Sequence, residues 1–156
     1  MNWLARLGVA VLASYGAGFL GSLFISTGAG SWYDTLHKPF FQPPNWMFAP
    51  VWIILYALMA VALTLVWNKD PLASEVRGWV PLFFAHLLLN AAWTVFFFGF
   101  HAILVAFIDI LILLCCVFML MCGAWEIDRR AAVLLVPYYL WVLFATILNA
   151  AIWYLN

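Results

Sequence analysis

Apolar residues in this chain come in long unbroken runs rather than in the alternation of a half-buried strand. A membrane-spanning helix needs about 20 consecutive, mostly apolar residues. Five stretches meet that length: Leu4 to Ser26, Trp46 to Trp67, Trp79 to Gly99, Ala102 to Gly123 and Ala131 to Tyr154. The pattern therefore predicts an all-α membrane protein, a five-transmembrane-helix bundle with a structured loop between helices 1 and 2. That loop, Thr27 to Asn45, carries Gly28, Gly30, Pro39, Pro43 and Pro44, which interrupt any helix. It also carries Trp32, Tyr33, Phe40 and Phe41, which disordered segments avoid, so it reads as a folded lid. The connections Asn68 to Gly78, Phe100 to His101 and Ala124 to Arg130 are short enough to make successive helices antiparallel. Arg6 before the first run imitates a signal peptide. The run is too long for one, and no clear A-x-A site precedes Trp32.

Composition sharpens the picture. The 156 residues are 69% hydrophobic and 8% charged, which excludes a water-soluble monomer and makes the lipid bilayer the surrounding medium. Six basic residues balance six acidic ones, leaving no basic field to hold nucleic acid. Arg6, Lys69, Arg77, Arg129 and Arg130 fall on the N-terminal side of the bilayer and only Lys38 on the lid side. By the positive-inside rule the N-terminus is cytoplasmic, and in a bacterial inner membrane the lid and C-terminus face the periplasm. Cys115, Cys116 and Cys122 lie in one apolar run and read as small core residues. His37, His86 and His101 are scattered, so no metal site is expected, and His86 is expected to bond a neighbouring helix.

The candidate chemistry is aromatic. Trp3, Trp32, Trp46, Trp67, Trp79, Trp125 and Trp153 stand at or beyond span ends, where indoles anchor helices at the interface. Trp52, Trp93 and Trp141 stand inside spans. Tyr56 is one turn from Trp52; His86, Asn90 and Trp93 share one stripe, and Trp141, Ala145 and Asn149 another. Each residue taken singly is explained by interhelical hydrogen bonding. Together they converge on one depth beneath the lid and imply a cavity for a flat, largely apolar ligand, with Tyr56, Asn90 and Asn149 orienting its polar atoms. Asp109, eight residues into the fourth span, is expected to face a polar partner in the cavity, on a neighbouring helix or across a dimer, or to snorkel toward His101.

Four motifs carry a family resemblance. Trp32-Tyr33-Asp34-x-Leu36-x-Lys38-Pro39, followed by Pro43-Pro44-x-Trp46-x-Phe48-x-Pro50-x-Trp52-x-x-x-Tyr56, resembles the loop and second helix of the TspO/MBR family of tryptophan-rich sensory and translocator proteins. Asn90-x-x-Trp93-x-x-x-Phe97-Phe98-Gly99 and Pro137-Tyr138-x-x-Trp141-x-x-x-Ala145-Thr146-x-x-Asn149 resemble its third and fifth helices. The resemblance implies one domain over residues 1–156, often a homodimer, that binds protoporphyrin IX or a haem-like tetrapyrrole and isoquinoline-type molecules, with no required cofactor. It carries Trp52, Asn90, Trp93, Trp141, Ala145 and Asn149 into the pocket. Phe144 stands where a further pocket tryptophan would be wanted. Some bacterial members break down protoporphyrin in light and oxygen, a role that falls to Trp52 and Trp141 here.

The resulting expectation is a tetrapyrrole-binding sensor or regulator with a light-dependent degrading activity; the alternatives are a porphyrin transporter and a structural scaffold whose cavity is filled. The sterol motif of animal members needs a basic residue after a tyrosine late in helix 5. Tyr154 is followed only by Leu155 and Asn156, which argues against steroid transport.

Overall fold

The computed structural model describes residues 2–69 and 73–156. Five long helices form the bundle: α1 (Trp3–Ser22), α3 (Phe48–Trp67), α4 (Ser74–Thr94), α5 (Ile103–Ile127) and α6 (Arg129–Leu155), with a short α2 (Trp32–Thr35) in the lid. All five are long and apolar enough to cross a membrane. The middle of the connection expected over Asn68 to Gly78, residues 70–72, lies outside the described residues.

Local chemistry sets the ends. Asn2 caps α1 by accepting from the Ala5 amide at 2.8 Å, and Gly21 and Ser22 close that helix four residues before the expected Ser26. Pro43 and Pro44 delay the next helix to a single 3-10 turn, Asn45–Met47, that feeds α3. Between α5 and α6 the expected seven-residue connection shrinks to Asp128, whose carboxylate accepts from the Arg130 amide at 3.0 Å. Asp128 also pairs with Arg130 and Lys69, each at 3.1 Å. The Arg130 guanidinium and the Lys69 ammonium hold its carboxyl well below the usual carboxylate range. Arg6 donates to the Trp67 carbonyl and the Asn68 side chain, so the basic residues near the N-terminal end fasten the helix ends there.

In the circuit of packed neighbours, α1 touches α3, α3 touches α6, α6 touches α5, α5 touches α4, and α4 returns to α1. The core of this ring is apolar and continuous, centred on Met59, Leu63, Phe83, Leu113, Val117, Leu135 and Tyr138. Three sequence expectations need correction here. Trp79 is not an interface anchor; because α4 begins at Ser74 its ring is buried, and its indole N–H donates to the Leu120 carbonyl at 2.8 Å. Of the cysteines only Cys116 is buried, while Cys115 and Cys122 turn outward, since adjacent helical positions point about 100° apart. His86 bonds the Phe83 carbonyl of its own helix rather than a neighbour, and its Nε2 is buried without a partner among the described residues.

Candidate ligand-binding site

The last turn of α4 widens. Over Val95–Gly99 the helix takes a π turn, with the Phe100 amide reaching back to the Val95 carbonyl at 2.9 Å. This turns Phe97 inward against Trp93, with ring centroids 5.1 Å apart and nearly parallel. His101 then takes a left-handed backbone, φ 55°, and its ring stacks on Trp32 of the lid at 4.1 Å. Beside it, Tyr33 is buried against Phe97 and Phe98, and burial pushes its phenol pKa up, so it keeps its proton. The lid is fastened a third time: the Asn156 side chain accepts from the His37 amide and donates to the His37 carbonyl, both at 2.9 Å.

Under this lid is a cavity of about 360 Å³, within the range of small-molecule sites. Its walls come from α1, α3, α4, α6 and the lid. The sequence-predicted residues Trp52, Tyr56, Asn90, Trp93, Ala145 and Asn149 all line it. Tyr56 donates to Asn90 at 2.9 Å, Asn90 donates to the Tyr138 hydroxyl at 3.3 Å, and Trp93 donates to Asn149 at 2.9 Å. Asn149 in turn donates to the Ile103 carbonyl at 3.2 Å. The asparagines therefore hold helices and indole rings in place, and their polar capacity is largely used among themselves.

Trp141 and Phe144 fall outside the lining. Trp141 sits one turn before Ala145 on α6 and meets the ring of Phe48, itself a lining residue, edge-on at 5.8 Å. Phe144 is one position round from the lining face and packs between Trp141 and Phe41. Asp109 also stands elsewhere: α5 contributes nothing to the cavity, and the Asp109 Oδ2 is buried without a hydrogen-bond partner among the described residues. No metal-binding cluster occurs among the described residues.

Sequence reasoning missed the wall made by Ala17, Gly18, Gly21 and Ser22 of α1 and by Ile25 just past its end. A side chain at Gly18 would begin 2.3 Å from the Tyr56 ring and one at Gly21 2.6 Å from the Thr94 hydroxyl, so both glycines permit close helix approach. Their spacing was the available signal, obscured because small residues in a span usually mean packing alone. Tyr33, read only as lid, also lines the cavity, as do Phe48, Phe97 and Phe98.

Five apolar membrane-spanning helices, four of which wall a lidded aromatic cavity, define an integral membrane protein with a site for a small molecule. The comparisons narrow this. The family model described as TspO/MBR family matches residues 10–155, and the chain belongs to that family. It is 39% identical to the tryptophan-rich protein TspO of Archaeoglobus fulgidus over 100% of this chain and 99% of the relative. It is 40% identical to the protein of the same name from Chlorobaculum tepidum over 89% of this chain and 88% of the relative. Against the translocator protein of Homo sapiens it is 34% identical over 97% of this chain and 89% of the relative.

Proposed function

We propose that the cavity binds a flat, largely apolar tetrapyrrole, with protoporphyrin IX as reference ligand, and that the protein acts as a membrane sensor or regulator of such molecules. The observation that carries this reading is the lining itself: the indoles of Trp52 and Trp93 and the rings of Phe48, Phe97 and Phe98, with no carboxylate or ammonium among the described lining residues. Lys38 stands over the Tyr33 ring at 4.5 Å, at the lid, where it suits the acidic groups of a porphyrin rim. The names of relatives agree with a sensory or translocating role, including the tryptophan-rich sensory protein of Cereibacter sphaeroides. The family resemblance supports isoquinoline-type molecules as competitors for the same cavity and a homodimer in the membrane.

We assign a light- and oxygen-dependent reaction with bound porphyrin to Trp52, which lines the cavity, rather than to Trp141, which lies outside the lining in contact with Phe48. The test is a dark titration of the purified protein with protoporphyrin IX, followed by illumination. Trp52→Ala and Trp93→Ala weaken dark binding, whereas Trp141→Phe leaves it near the parent. Absence of saturable binding by the parent overturns the ligand reading. Equal loss of the Soret band in Trp52→Phe, parent and free porphyrin removes the photochemical role and leaves the binding role standing.

A further inference from the structure

A second hollow, about 250 Å³, lies between α1 and α3 and is lined by Tyr15, Gly18, Phe19, Ser22, Trp52, Ile53 and Tyr56. Gly18, Ser22, Trp52 and Tyr56 also line the main cavity, so the two spaces share a wall. The outer rim of the hollow is not toward water. Phe19 is 66% and Ile53 57% exposed on the outside of the bundle. Tyr15 lies seven residues before the end of α1 and Ile53 five residues into α3, about 8–10 Å inside the span at 1.5 Å per residue. The hollow therefore opens at hydrocarbon depth.

The shared wall is thin and made of rings. Tyr56 lies on Gly18, whose missing side chain gives the ring its place, and Trp52 stacks on Tyr56 at 5.3 Å. Tyr56 is latched by its bond to Asn90. Tyr15 bridges the rim by donating to the Ile53 carbonyl at 2.9 Å, which ties α1 to α3 without filling the gap. The Tyr56 ring, seated on Gly18, is thus one of the side chains that separate the two spaces. The route through the lid is more heavily fastened, by the Asn156 clamp on His37, the Trp32 and His101 stack and the burial of Tyr33.

We propose that the gap between α1 and α3 is a lateral portal through which an apolar ligand passes directly between the bilayer and the cavity, with Tyr56 as its gate and Gly18 as the gate's seat. The proposal rests on the reading that the cavity accepts apolar small molecules. A molecule that partitions into lipid is concentrated at this opening, and a side entrance spares it passage through water.

The test uses a thiol inside the cavity and needs no porphyrin. In a Cys115→Ala, Cys116→Ala, Cys122→Ala background, Ala145→Cys places a thiol on the cavity wall. The protein in lipid nanodiscs is treated with membrane-dissolved N-phenylmaleimide or with a charged, water-soluble methanethiosulfonate. The lipid-borne reagent reacts and the charged one lags well behind it. Ile53→Trp, at an exposed position on the rim, slows the lipid-borne reagent by about tenfold, while Phe19→Ala speeds it. Asn156→Ala, which frees the lid, leaves that rate unchanged. The portal is overturned if Ile53→Trp labels at the parent rate, if Asn156→Ala accelerates labelling, if the charged reagent keeps pace, or if neither reagent reaches the thiol. Failure of protoporphyrin IX to bind in the separate dark titration bears on the ligand and not on the route.

Discussion

Asn90 shows how one side chain both builds the site and sustains the fold. It accepts from Tyr56 and donates toward Tyr138, joining α3, α4 and α6 at the floor of the cavity. Asn90→Leu leaves both phenols without that partner. Its expected cost is about 1–2 kcal/mol of helix association, seen as a lower thermal midpoint in detergent, with weaker dark binding of protoporphyrin IX. Gly18 supports a sharper expectation. A methyl there meets the Tyr56 ring, so Gly18→Ala displaces the ring from Asn90 and lowers porphyrin affinity by about tenfold, some 1.4 kcal/mol. Gly8→Ala is the matched control, since no described residue lies within 4 Å of its added carbon, and it is expected to bind as the parent does. The Asn90 and Trp93 stripe was legible because polar groups in lipid must turn inward. The Gly18 wall was not, because a glycine declares only that something comes near, never what comes near.

At the scale of elements, the spans were legible and their ends were not. Hydrocarbon thickness sets their length, but caps set their termini. Asp128 is the clearest case, serving as the cap of α6 and as a carboxylate between Arg130 and Lys69. Asp128→Ala loses cap and charge and costs about 1–2 kcal/mol at neutral pH, while Asp128→Asn keeps the cap and recovers part of it. Because the folded-state carboxyl titrates below its unfolded value, its contribution is complete above the ordinary carboxylate range near pH 4 and fades as pH falls toward the depressed value. Thermal midpoints of parent and Asp128→Asn taken from pH 7 downward therefore converge on acidification. A gap that widens contradicts the ion-pair assignment. The π turn at Val95–Gly99 escaped the sequence reading because its aromatic run suits any helical winding. Only the pairing of backbone groups distinguishes them.

For the whole molecule, the basic residues gather at the end opposite the lid, so the lid and Asn156 share one side of the membrane. A C-terminal reporter active only outside the cytoplasm is expected to signal and a cytoplasm-only reporter to stay silent; the reverse result overturns the orientation. Run length and charge placement determined by themselves that the chain spans a membrane five times, with a folded loop after the first helix, because lipid penalises every exposed polar group regardless of neighbours. The stripes on α3, α4 and α6 likewise pointed to Trp52, Tyr56, Asn90, Trp93, Ala145 and Asn149, which line the cavity, since a shared depth and face can be counted along a helix. His86 and Trp141 of the same stripes do not line it. Which helices adjoin was decided only by tertiary packing. That order placed α1 as a cavity wall, left α5 and its Asp109 outside the lining, and brought Phe48 rather than Trp141 to the cavity surface. Helical periodicity specifies the direction of a side chain from its own axis, and what stands in that direction depends on the other helices.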